Sequence, residues 1–355
     1  AVQARHVLRR TVFGPTFEMV KTSLTQGMED TVSTLLADLP EPQQPLKSIP
    51  DGTGSNRLDD PGARQGETWV NAPVFPNINP PMLRNRVLRA RSKSLYSWTM
   101  LQILDSGMNI REKMTLFWHN HFVVGQAVIP HREFHYYSLL RRHATGNVKT
   151  LTKAITIDTS MLTYLSGALN TNRAPNENYS RELLELFTIG KGPLVAPGDY
   201  THYTEDDVQA MAQVLTGWRV APVSDPKTLT ASFDSRRHTE GSKTLSHRFG
   251  KKVIEENGAE EYADLIDVIF EQEECSRFLC RKIYRWFVNS YIAADVEQTI
   301  IAEMAALLRE NGYSVKPVLR ALLTSEHFYV QTACLIKSPV DLIFSSSRGL
   351  NTIAP

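Results

Sequence analysis

Cysteine is scarce in this chain: three thiols among 355 residues, at Cys275, Cys280 and Cys334, with no CxxC pair. That excludes a zinc ribbon and a disulfide framework. Cys275 and Cys280 are five apart in a stretch that reads as helix, so they point in different directions and do not bridge each other. At most one of them can reach Cys334. Long apolar runs are missing as well: none approaches the roughly 18 residues a membrane helix needs. No basic-then-apolar signal peptide opens the chain, and its start at Ala1 fits a processed precursor or a trimmed chain equally. Charge of one sign is also lacking, with 39 basic against 38 acidic side chains and a net charge of +1. Composition therefore gives no general electrostatic reason to expect nucleic acid. GxGxxG, GxxxxGK[ST], HExxH and GxSxG are all absent, which leaves nucleotide-phosphate, zincin and α/β-hydrolase readings without support.

What is present reads as mostly α: a single large multi-helix domain with two long irregular insertions, at about 40–82 and 219–258, and minor β at most. An apolar fraction of 42% with 22% charged residues is ordinary globular composition. Residues 1–39 read as two short helices, with Gly14-Pro15-Thr16 as stop, turn and cap. Nine of the nineteen prolines fall in 40–82, and Trp69, Val70 and Phe75 there favour a surface excursion pinned to the body over a free linker. The helical core spans 83–218. Its longest segment is Met82 to Leu104, with Tyr96, Met100, Ile103 and Leu104 as the apolar stripe. Thr204 and Asp207 are placed as a capping box, Val208, Met211, Ala212 and Leu215 form the buried stripe, and Gly217 ends the helix. The insertion 219–258 holds short alternating pieces such as Thr228 to Phe233, the mark of a small hairpin, and 259–355 is helical again. The basic clusters Arg84 to Arg91, Arg141-Arg142 and Arg236-Arg237 read as solvated helix faces and loop ends.

Two segments concentrate chemistry. In FWHNHF, Phe117 to Phe122, His119 and His121 stand between aromatics. On a regular helix two residues apart point about 200° away from each other, so one ion binds both only at a frayed end or in extended backbone. The alternative is a pair of core-edge imidazoles bonded to backbone carbonyls. In PNENYSRELLELFTIG, Pro175 to Gly190, a helix over Asn178 to Ile189 puts Glu182 and Glu185 on one face, with Arg181 four before Glu185. A desolvated carboxylate pair needs an arginine, a metal or a shared proton. Asn176 and Asn178 flank Glu177 and either cap the helix or offer amides to a ligand. The expected geometry turns the Glu182 face toward His119 and His121. His131 and His135, four apart, have metal-ligand spacing that also arises by chance, while His238, Gly241 and Lys243 occupy a Gly/Ser-rich loop.

The order REKMTLFWHNHF, LRRHATGN, DTSMLTYLSG, PNENYSRELLELFTIGKG, YTEDDVQAMAQVLTGW, HTEGSK, LLTSEHF and KSPVDLI resembles a bacterial family catalogued as domain of unknown function 1800. The likeness runs over nearly the whole chain. It implies an exported protein (periplasmic, surface or extracellular) and a neighbouring exported partner of alkaline-phosphatase type. It implies no settled activity. His119, His121, Asp158, Asn176, Glu177, Asn178, Arg181, Glu182, Glu185, Trp218, His238, Gly241 and Lys243 stand where the family's motif residues stand. Ser166 and Thr239 depart from it, each replacing a usual Asp. Two functions follow as expectations. One is a hydrolase or oxidoreductase dependent on a divalent transition metal. It has His119, His121 and Glu182 as metal ligands and His238 as a weaker one, Glu182, Glu185 and Arg181 as catalytic residues, and Asn176, Glu177, Asn178, Trp218 and Lys243 as ligand contacts. The other is a non-catalytic secreted scaffold or partner-binding protein in which the same side chains form a structural polar network.

Overall fold

The helical spacing of apolar residues governs most of the chain. The computed structural model describes residues 1–47, 60–75, 77–78, 81–125, 129–221, 229–330 and 335–349. Three helices open it: α1 (Val2–Thr11), α2 (Phe17–Gln26) and α3 (Met28–Leu35). Next come α4 (Pro81–Leu104), α5 (Arg111–His121), α6 (Pro130–Arg142), α7 (Val148–Thr156), α8 (Thr159–Tyr164), α9 (Asn178–Glu182) and α10 (Glu205–Val214). After the second insertion follow α11 (Glu261–Glu271), α12 (Glu273–Phe287), α13 (Ala294–Val296), α14 (Ala302–Glu310), α15 (Val315–Thr324), α16 (Glu326–Val330) and α17 (Pro339–Gly349). Strands are minor, forming three two-stranded antiparallel ribbons: β1 (Leu194–Ala196) with β2 (Asp199–Tyr200), β3 (Trp218–Val220) with β4 (Ala231–Phe233), and β5 (Lys243–Thr244) with β6 (Val253–Ile254). The mostly α expectation holds. Among the described residues no helix is long and apolar enough to cross a membrane.

Residues 1–39 hold three helices, not the two expected. Gly27, at φ 85°, ends α2 and starts α3, a backbone conformation that costs glycine little. Thr16 caps α2 by accepting from the Met19 N–H, as its position suggested. The main core runs from Val7 to Phe328. At its centre α12 buries Cys275, Leu279, Cys280, Ile283 and Phe287 along one face. Cys275 and Cys280 are free thiols, pushed up by burial; Cys334 lies outside the described residues.

The proline-rich excursion is pinned, though not by every residue expected. Trp69 is fully buried, packs with Leu95, Trp98 and Phe134, and donates its indole N–H to Ser94 Oγ at 3.0 Å. Phe75 is exposed. The anchor is Arg91, whose guanidinium forks onto Asp60 at 2.8 and 2.6 Å and reaches the Pro73 carbonyl at 2.8 Å. Arg91 and Arg141 are therefore not on solvated faces: Arg141 is buried against both Glu112 oxygens at 2.9 Å. The buried face of α4 also differs from the expected stripe. It runs through Val87, Leu88, Arg91, Leu95, Trp98 and Ile103; of the expected stripe Ile103 is buried, while Met100 is half exposed. The excursion covers that face, and apolar spacing within α4 carries no record of it.

In the second insertion, Thr228 lies outside the described residues, and β4 pairs Phe233 with Trp218 at the end of the preceding segment. Gly217 makes the corner at φ 93°, where a Cβ would stand 2.9 Å from the Phe233 ring. The capping box of Thr204 and Asp207 forms as expected, and Val208, Met211, Ala212 and Leu215 are all buried.

Candidate functional site

Helix α5 runs through His121, so its two histidines leave on different faces. His121 enters the core. Its ring is wedged among Phe117, Trp118, Phe122 and Phe187. Nε2 lies 3.0 Å from the Phe187 carbonyl, and a carbonyl only accepts, so Nε2 carries the proton and Nδ1 is left without a protein partner. Burial, with the Lys282 charge added, holds its pKa down at about 3, so the imidazole is neutral.

The carbonyl that His121 caps is free because of the second segment. The expected helix from Asn178 to Ile189 is regular only to Glu182; Leu183–Thr188 widens into a π-turn. The carbonyls at its end lack partners in the helix itself. Lys282 takes Leu186 O at 3.1 Å and His121 takes Phe187 O at 3.0 Å. FWHNHF and PNENYSRELLELFTIG do meet, then, but through a backbone carbonyl and not through Glu182.

Glu182 is half-buried, and its pKa is raised by burial and by the neighbouring Glu185 charge. Arg181 forks onto Glu205 at 2.9 and 2.7 Å and reaches Glu177 at 3.1 Å, while Glu185 stands 3.9 Å away. Glu185 instead accepts from the Tyr203 hydroxyl and faces Lys191 at 3.4 Å. Asn176 accepts from the Asn178 N–H at 2.9 Å, and Asn178 donates to Leu165 O at 3.2 Å, so both close the turn ahead of α9. Among the described residues no three His, Cys, Asp or Glu side chains come together to hold a metal ion.

His238 and Lys243 are buried, not exposed in their loop. His238 Nε2 and Lys243 Nζ meet the two oxygens of Glu261 at 2.9 and 2.7 Å, and Lys243 also donates to Thr239 O. His238 Nδ1 lies 2.9 Å from Thr216 O. Burial opposes a charge on Glu261, but the bonds from Lys243, His238 and the Asn257 N–H outweigh it and hold the carboxyl below its usual range. Glu261 has no counterpart among the residues singled out from sequence, because it lies 23 positions from His238. Trp218 is buried edge-on to Tyr262 and Phe233. His131 is buried with Nε2 between the carbonyls of Trp69 and Ala72, at 3.1 and 3.2 Å, and His135 is exposed. Ser166 takes a left-handed conformation at φ 60°, a position Asp tolerates well, so the family's usual Asp there suits a turn.

His119 lines a cavity. It opens beside Tyr96 of α4, Glu133, Tyr136 and Tyr137 of α6, Ser160 of α8, and Val124-Gly125, and encloses about 270 Å³. The His119 ring lies 5.3 Å from that of Tyr137. Glu133 is buried and accepts from the hydroxyls of Tyr137 and Tyr96 at 3.2 and 3.4 Å. Burial raises the Glu133 pKa and lowers that of His119, favouring the uncharged form of each. Asp158 caps α8 through the Ser160 N–H at 2.7 Å, and burial pushes its pKa up to about 6. Sequence reasoning found His119 and missed Glu133, Tyr137 and Tyr96. The i, i+4 spacing of Glu133 and Tyr137 on one helix was the available signal.

The chain is thus a mostly α protein with a small cavity at a motif histidine. It belongs to the family described as Protein of unknown function (DUF1800), which matches residues 6–355. No curated protein and no solved structure matches it.

Proposed function

We propose that the His119 cavity binds a small polar organic molecule, and that His119 and Glu133 move a proton on it. The observation that carries this is the shared cavity. Burial raises the Glu133 pKa and lowers that of His119, which brings a proton donor and a proton acceptor closer in strength, and both line the same roughly 270 Å³ beside three phenols and a serine. That volume lies at the small end of ligand pockets, which suits a ligand of few heavy atoms. The remaining motif residues support a structural role instead. His121 caps a π-turn, His238 and Lys243 close on Glu261, and Arg181 holds Glu205 and Glu177. This is the scaffold reading, confined to those residues.

Export and pairing with an exported protein of alkaline-phosphatase type belong to the same proposal and rest on the family likeness. Cell fractionation followed by affinity capture tests them. A ligand-observed NMR screen of small polar fragments tests the cavity. Fragments whose saturation transfer disappears in both His119→Ala and Glu133→Gln support it; a screen in which no fragment depends on either residue sinks it.

A further inference from the structure

A larger cavity lies elsewhere, away from His119 and from the PNENYSRELLELFTIG segment, and takes Lys113, Lys337 and Asp341 from the REKMTLFWHNHF and KSPVDLI blocks. It is a groove of about 800 Å³ between α1, α5, α12 and the segment 335–341 leading into α17. Six of its lining side chains are cationic: Arg5, Arg9, Arg10, Lys113, Arg285 and Lys337. Asp341 is the one acid among the lining residues, and it is taken up by Lys113 at 2.8 Å. In a chain whose net charge is only +1, this is a strong local concentration. Arg5 and Arg9 are four apart on α1, a like-charge spacing that costs the helix stability unless something answers it.

Two buried atoms point to what answers it. Trp286 and His6 both line this groove, and among the described residues the buried indole Nε1–H of Trp286 and the buried Nε2 of His6 have no hydrogen-bond partner. An indole nitrogen can only donate, so the missing partner of Trp286 is an acceptor. Burial, joined by the charge of Arg10, holds down the pKa of His6; the same burial, with Lys337 and Arg10 added, depresses Lys113. Negative charge in the groove would relieve both.

We propose that this groove is a binding site for a small polyanion carrying clustered phosphate or sulfate groups. Arginine forks and an indole donor suit tetrahedral oxyanions, and the volume exceeds what a single phosphate fills. The site is independent of the His119 cavity.

Isothermal titration with inorganic pyrophosphate, and separately with a heparin-derived sulfated disaccharide, tests it on the whole chain. The two arms distinguish phosphate from sulfate. At least one binds, weakens steeply with added salt, and loses about tenfold or more in affinity in Arg9→Gln/Arg285→Gln and in Lys337→Gln. Those side chains are exposed, so the fold should tolerate the changes. Trp286→Phe keeps the packing and removes the donor, so it should also weaken binding, while Arg173→Gln, outside the groove, should not. The proposal is overturned if neither probe binds below about 1 mM, or if binding is the same in the groove variants and in Arg173→Gln.

Discussion

Replacing His121 by glutamine isolates the role of the first motif. In the folded chain this imidazole has a pKa of about 3 against 6.5 for an unperturbed histidine, mainly through burial. The unfolded chain therefore takes up the proton first as pH falls. The stability this residue contributes is complete above about pH 6.5 and is lost progressively down to about pH 3. Between pH 7 and pH 5 the loss is about 2 kcal/mol, because each pH step below the unfolded pKa removes up to about 1.4 kcal/mol. Glutamine keeps an N–H for the Phe187 carbonyl and has nothing to titrate. Urea unfolding followed by circular dichroism at pH 7 and pH 5 should show the wild type losing about 2 kcal/mol more than His121→Gln. Other depressed histidines, such as His131 at about 4, are common to both proteins and cancel. Equal losses in the two proteins would refute the buried, neutral imidazole.

Other substitutions probe the remaining polar anchors. Arg91→Ala leaves Asp60 buried without its partner and should cost about 3–5 kcal/mol, with faster chymotrypsin cleavage around Trp69 as the readout. Glu261→Gln strips the buried Lys243 of its counter-charge and His238 of its carboxylate partner, and should cost a similar amount, roughly 3–5 kcal/mol, in urea unfolding at pH 7. Because the Glu261 pKa is lowered in the fold, its contribution is present above its ordinary 4.5 and fades as pH drops through that value, so the difference between the two proteins should shrink in acid. Gly217→Ala combines φ 93° with a 2.9 Å approach to Phe233 and should cost about 1–3 kcal/mol. Gly241→Ala, at φ 80° in open space, should cost less.

The regular helices were legible because their information is local. The α10 capping box and stripe lie within the twelve residues from Thr204 to Leu215, and the structure repeats them. Where a distant segment decides burial, the sequence was silent. Residues 60–75 cover the Arg91 face of α4, so a stripe chosen within α4 alone placed Met100 inside. The His121 partner was out of reach for the same reason: it is a backbone carbonyl freed by a π-turn 66 residues on. Glu261 completes the His238 and Lys243 pair from another helix. The His119 cavity draws on α4, α6 and α8, and only the histidine stands in a motif that reads as chemistry.

The division of labour between His119 and His121 is the centre of this account, and one paired measurement tests it. Unfolding free energy and fragment affinity are measured together on His119→Ala and His121→Ala. His119→Ala should stay within about 1 kcal/mol of wild type, as a partly exposed ring with no buried partner to strand, yet lose binding. His121→Ala should lose about 3–5 kcal/mol through its cavity and the stranded Phe187 carbonyl, yet still bind. If His119→Ala binds normally, or His121→Ala is as stable as wild type, the assignment of function to one histidine and structure to the other is wrong.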